Sequence, residues 1–132
     1  MHRDVNPKKF LGQHFLIDDN ISKKIVETIN FQKFKKVIEV GPGKGALTKH
    51  LLHIKDMLTL IEVDKESVEF LNREFQKEVA ERIISKNNCK QYGILSVKTQ
   101  LFYDTKILFN VSPNVFFPKP KVDSSVISLT RK

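Results

Sequence analysis

The stretch KKVIEVGPGKGALTKHLL, from Lys35 to Leu52, decides the fold. Val37–Val40 is a short apolar run of strand character. Gly41–Gly45 is a glycine-rich turn. A helical pattern begins near Ala46, with Leu47, Leu51 and Leu52 on its core face. A second strand follows at Leu58–Val63 (LTLIEV), and Asp64 stands where a helix N-cap belongs. Strand, glycine turn, helix and strand form a βαβ unit. Such units cross over right-handed and build parallel sheets, so the fold class is α/β.

A glycine turn between a strand and a helix is a place for a ligand. The phosphate-binding loop needs Gly, four residues, then Gly-Lys-Ser/Thr; Gly43-Lys44-Gly45 breaks that spacing and argues against a nucleoside triphosphate. The dinucleotide pattern G-x-G-x-x-G/A fits at Gly41, Gly43 and Ala46. An acid, Glu62, lies 21 residues after Gly41, where a ribose diol would be bound. Glu39 tips the balance. A carboxylate two residues before Gly41 repels a pyrophosphate but attracts an ammonium or a sulfonium. S-adenosylmethionine carries both, with a ribose for Glu62 and no phosphate. Glycine lets the backbone approach such a ligand closely. The plain alternative is a ligand-free turn with Glu39 exposed.

Working outward, residues 1–18 read as irregular and basic. Asp18, Asp19 or Asn20 can cap a helix running to about Ile29, with Ile21, Ile25 and Ile29 on one face. From Lys65, the apolar positions Val68, Leu71, Phe75, Val79 and Ile83 keep helical spacing, which predicts one long helix to about Ile84. Residues 86–93 read as a loop, and Ile94–Tyr103 leans to helix. Ile107–Val111 and Val122–Leu129 read as strands. Between them SPNVFFPKPK, with three prolines, predicts a stiff loop.

The whole has 132 residues, which suits one domain, and 40% of them are apolar. Its 23 Lys+Arg against 15 Asp+Glu give a net charge of +8, which suits a polyanion such as nucleic acid as well as a merely solvated surface. Cys89 is the single cysteine, so neither an internal disulfide nor a cysteine zinc site is expected and a reducing compartment fits. The N-terminus has no apolar signal core, and no run approaches the ~18 residues of a membrane span, so a cytoplasmic protein without membrane association is expected. His50 and His53 have helical i, i+3 spacing but no surrounding set of acidic or cysteine partners, so no metal site is expected.

The blocks KKFLGQHFL, IEVGPGKGALT, IEVD, QKEVAERI, YGILSV and FFPKPKVDSS occur in that order. Together they resemble the ribosomal RNA adenine dimethyltransferases, the kasugamycin-sensitivity enzymes and their erythromycin-resistance relatives, and most of all the small-subunit branch. The resemblance implies a Rossmann-like class I methyltransferase sheet that uses S-adenosylmethionine and binds small-subunit ribosomal RNA. It implies that His14 and Leu16 line the cofactor site. It also implies that Gly41 carries the methionine end, that Glu39 and Gly43 shape the turn, and that Glu62 holds the ribose. Phe116 matches the aromatic that stacks on the target adenine. The implied reaction places two methyl groups on the exocyclic amine of adenine.

That amine is a poor nucleophile, because its lone pair is delocalised into the ring. The family holds it with an Asn-Leu/Phe-Pro-Tyr segment after the fourth strand, and an Asp after the third strand contacts the cofactor. Neither is present here. The resemblance jumps near residues 74–76 from the second helix to the end of the fifth strand, and the family's C-terminal helical domain has no counterpart. Three expectations follow. Val37–Val40 lacks a neighbour on one side, the remaining strands pair directly or the chain self-associates, and these 132 residues alone are catalytically inactive. Joined parts of a longer protein and a true deletion both fit. A dinucleotide-dependent oxidoreductase and a non-catalytic RNA-binding remnant stand as rivals.

Overall fold

The computed structural model describes residues 4–75, 83–85 and 102–132. Its centre is the predicted βαβ unit. Strand β2 (Val37–Val40) runs parallel to β3 (Leu58–Glu62), pairing Val37 with Leu58 and Val40 with Ile61. Leu58 and Leu60 lie on the buried face of β3, while β2 alternates half-buried and exposed residues. Between the strands lies the glycine turn, then α2 (Thr48–Leu51) and a 3-10 stretch, Leu52–Met57. The helix starts two residues later than the leucine spacing suggests. Gly45 is still left-handed at φ 79°, and the first regular turn forms only beyond it.

The other helices pack against this unit. Helix α1 (Asp19–Glu27) is capped by Asp18, which accepts from Ile21 N at 3.0 Å, so the first of the three candidate caps is the one used. Helix α3 (Lys65–Glu74) is capped by Asp64 as expected, with Ser67 N and Ser67 Oγ donating to its carboxylate at 3.2 and 2.8 Å. Val26, Leu51, Leu58, Leu60 and Leu71 form the buried core, flanked by Phe31, Val37, Leu47 and Phe75. Each such buried side chain contributes roughly 1.5–3 kcal/mol by leaving water.

The expectation of one helix to Ile84 is not met. Helix α3 ends at Glu74, Phe75 leaves helical geometry at φ −118° and ψ 25°, and Ile83–Ser85 forms strand β4, parallel to β3. Two β-branched residues beside an open strand edge favour pairing over the helical pattern. Val79 falls outside the described residues, as does the predicted loop at 86–93. Of the lean to helix over Ile94–Tyr103, the two described residues divide: Phe102 is helical, and Tyr103 already opens β5 (Tyr103–Val111). That strand pairs antiparallel with β7 (Ser124–Arg131), with an irregularity between Ile107 and Phe109. The stiff loop contains a 3-10 turn at Pro113–Val115 and strand β6 (Phe116–Phe117), antiparallel to β1 (Phe15–Leu16).

Among the described residues the strands form three sheets, β2-β3-β4, β5-β7 and β1-β6, and do not merge into one. Strand β2 has no second partner among the described residues, and its Ile38 and Val40 are 53% and 72% exposed. Ile107, Leu108, Ile127 and Leu129 of the β5-β7 ribbon are exposed as well. Among the described residues, more large apolar side chains face water than fill the core.

Gly45→Ala destabilises the protein by more than about 1 kcal/mol in urea unfolding, because a Cβ there meets Phe75 Cε2 at 2.7 Å and sits at positive φ. Gly12→Ala, also at positive φ but with nothing within 4 Å, costs less. On the free edge, Val40→Lys lowers self-association in light scattering while changing the unfolding midpoint little, since a charge blocks edge pairing.

Candidate functional site

The glycine turn is held by Glu62. Its carboxylate, almost fully buried, receives Gly43 N at 3.0 Å on one oxygen, and Val63 N at 2.8 Å and Asp64 N at 2.9 Å on the other. Three backbone donors satisfy most of the charge, and about one acceptor position remains on the oxygen facing the turn. Gly41 N donates to Ile61 O at 2.8 Å, which ties the start of the turn to β3. Gly41 itself is exposed at φ 67°, with nothing within 4 Å of where a Cβ would stand. A ligand can lie directly against this backbone.

Glu39 lies on the other side of the turn, at the end of β2. Thr48 Oγ1, fully buried, donates to its Oε2 at 2.8 Å. Burial pushes the Glu39 carboxyl up to about 7; the Thr48 hydroxyl lowers it, and the nearby Glu62 charge raises it further. Gly43 is packed rather than open. A Cβ there would meet the Phe15 ring at 3.1 Å, so the N-terminal segment lies against the turn. That segment is fixed at its base by Lys8, whose Nζ is 2.6 Å from Asp64 Oδ1 and 3.2 Å from Glu66 Oε2. Lys8 is thus engaged with protein carboxylates. Burial raises the Asp64 carboxyl, but Lys8, Ser67 and Gln13 outweigh it and hold it below the usual carboxylate range.

The β1-β6 ribbon joins the two end blocks of the sequence. Phe15 pairs with Phe117 and Leu16 with Phe116. Ile17 N donates to Val115 O at 2.8 Å, and the exposed His14 donates from Nδ1 to Pro118 O at 2.6 Å. Leu16 and Phe116 are both half-buried. Leu16 also lines a cleft of about 440 Å³ with Phe15, Gly45, Ala46 and Phe70, whereas Gly41, Glu39 and Glu62 lie outside that cleft. The structure thus brings Glu39, Gly41, Gly43 and Glu62 together around the turn, and His14, Leu16 and Phe116 together in the ribbon. Phe15 bridges the two groups. Sequence reasoning missed Thr48, Phe15 and Gly45; only the density of glycines hinted at the last. Among the described residues no group of His, Cys, Asp and Glu could hold a metal ion, and no helix is long and apolar enough to cross a membrane.

The family profile described as "Ribosomal RNA adenine dimethylase" matches residues 5–76 and 74–132. The chain belongs to that family. Its place there sets it among the methyltransferases rather than the dinucleotide oxidoreductases. The Ribosomal RNA small subunit methyltransferase A of Flavobacterium johnsoniae is 39% identical, over 97% of this chain and 71% of that protein. The protein of the same name from Parabacteroides distasonis is 36% identical, over 98% and 70%. The Flavobacterium alignment runs over 186 positions against the 132 residues here, so the relative carries positions without counterpart in this chain. Among solved structures, the dimethyladenosine transferase of Plasmodium falciparum superposes with a TM-score of 0.71 at 18% identity, over 90% of this chain and 63% of that one. The 23S rRNA methyltransferase ErmE gives 0.67 at 22%, over 89% and 70%. Both share the Rossmann-like fold.

The raised Glu39 carboxyl has a measurable consequence. Folded Glu39 keeps its proton to about pH 7, while the unfolded chain releases it near 4.5. Between those values the native state binds more protons, so Glu39's stabilising contribution is full below 4.5 and is lost as pH rises to about 7. Urea unfolding across that range shows this decline, and Glu39→Gln flattens it by about 2–3 kcal/mol.

Proposed function

We propose that this chain is an S-adenosylmethionine-dependent adenine dimethyltransferase domain acting on small-subunit ribosomal RNA in the cytoplasm, and that these 132 residues alone do not transfer methyl groups. The observation that carries the reading is the open backbone at Gly41, held beside two acidic side chains by the bonds from Gly41, Gly43, Val63 and Asp64. The donor set fits the cofactor: an unobstructed glycine for close approach, carboxylates for its positive charge, and, among the described residues, no lysine bonded to Glu39 or Glu62 in place of the ligand. When bound, S-adenosylmethionine supplies the methyl group. Gly41 would hold the methionine end, and Glu39 and Gly43 would shape the turn. Glu62 would use its remaining acceptor position for a ribose hydroxyl, and His14 and Leu16 would close the site from the ribbon. Phe116 would stack on the target adenine.

The inactivity rests on chemistry that the chain lacks. A delocalised aryl amine needs acceptors that hold it and favour its pyramidal form, and the sequence carries no Asn-x-Pro-Tyr segment for this work. Two family matches that abut at residues 74–76, and an alignment longer than the chain, support a break at that point. So does the exposed edge of β2.

Intact mass and calorimetry test the reading together. A mass well above 15.3 kDa means that the block exists in the protein, and a mass at that value means that it is absent. The 15.3 kDa chain is expected to bind S-adenosylmethionine and not NAD, with Gly41→Val weakening binding at least about ten-fold, or about 1.4 kcal/mol. It is expected to leave small-subunit ribosomal particles unmethylated. Methyl incorporation by that chain overturns the inactivity, and RNA binding without cofactor binding favours the non-catalytic remnant.

A further inference from the structure

We propose that Phe117 is a second base-stacking residue, which takes a nucleotide of single-stranded RNA next to the one held by Phe116. The inference rests on the RNA-methyltransferase reading above and adds a contact surface to it. Directly opposed residues of an antiparallel pair project to the same face, and successive residues to opposite faces. The pairing of Phe15 with Phe117, and of Leu16 with Phe116, therefore divides the ribbon into two faces. Phe15 is half-buried, its ring packed on Gly43. Phe117 stands on that same face and is 59% exposed. Phe116 stands on the opposite face and is half-buried. The two adjacent rings cannot serve one base from one side, but they can take two.

A single exposed phenylalanine is ordinary on a protein surface. Three features set this one apart. Its backbone is clamped on both strands, by Ile17 N to Val115 O at 2.8 Å and by His14 to Pro118 O at 2.6 Å. Pro113, Pro118 and Pro120 limit the loop's alternatives, so little entropy is lost when a base settles on the ring. Lys119 and Lys121 follow it, both exposed, and no acidic residue occurs from Ser112 to Val122. A fixed exposed ring followed by solvated lysines matches single-stranded nucleic acid, in which bases stack on aromatics and lysines track the phosphates.

Fluorescence anisotropy with a labelled single-stranded RNA dodecamer, measured across salt concentrations, tests the assignment. Phe117→Leu is expected to bind about ten-fold more weakly with an unchanged salt slope, because stacking releases no counterions. Phe117→Trp is expected to restore affinity. Lys119→Ala with Lys121→Ala is expected to make the slope shallower by about 1.4, roughly 0.7 per phosphate contact. Since Phe117 is exposed, Phe117→Leu keeps the thermal midpoint, which separates lost contact from lost fold. Unchanged affinity in Phe117→Leu, or no recovery with Phe117→Trp, overturns the role of Phe117 and leaves the broader reading standing. No RNA binding by the unaltered chain overturns both.

Discussion

The carboxylate of Glu62 is the constraint on which the rest of the site depends. A turn with three left-handed glycines is expensive to order, because glycine loses more backbone freedom than any other residue. A buried carboxylate is expensive too, unless donors surround it. Here the same hydrogen bonds offset both costs. The Gly43 amide fixes the turn and partly neutralises Glu62, while the amides of Val63 and Asp64 complete the shell and set the exit from β3. Asp64 then caps α3 and anchors Lys8, so the same few residues position the turn, the helix and the N-terminal segment that covers the turn.

The two acids beside the turn differ in their partners, and the difference is chemical rather than incidental. Glu62 is met by three backbone donors. Glu39 is met by a single hydroxyl in a poorly solvated position. One is held by the fold itself. The other sits near its titration point and responds to a positive charge placed beside it, since an added cation favours its ionised form. A cationic ligand at Gly41 would therefore find one fixed acid and one adaptable acid.

What could be read from the sequence was what is encoded locally. The strand before the turn, the glycine geometry, the Asp18 and Asp64 caps and the two late strands each rest on a few neighbouring residues. The end of α3 could not be read. The spacing of Val68, Leu71, Phe75, Val79 and Ile83 continues smoothly, and what stops the helix is tertiary: Phe75 packs on Gly45, and Ile83 pairs beside Leu60. Tyr103 was misread for the same reason, because Asp104, Thr105 and Lys106 look unlike a strand until β7 supplies Thr130, Leu129 and Ser128 as partners. In the site, the acids and glycines were visible by type and spacing. The hydroxyl of Thr48, the ring of Phe15 and the bond from His14 to Pro118 were not, since nothing in local sequence marks a partner found by folding.

The His14 to Pro118 bond spans 104 positions of the chain. Closing so long a loop carries a large entropic cost, repaid only after both ends exist. On a ribosome the glycine turn and the β2-β3 pair would emerge before the proline loop and could order from contacts among residues 37–64. The β1-β6 ribbon must wait until the proline loop has been synthesised. The surface that carries both phenylalanines therefore assembles only after the core it rests on, and shortly before β7 emerges to close the β5-β7 ribbon.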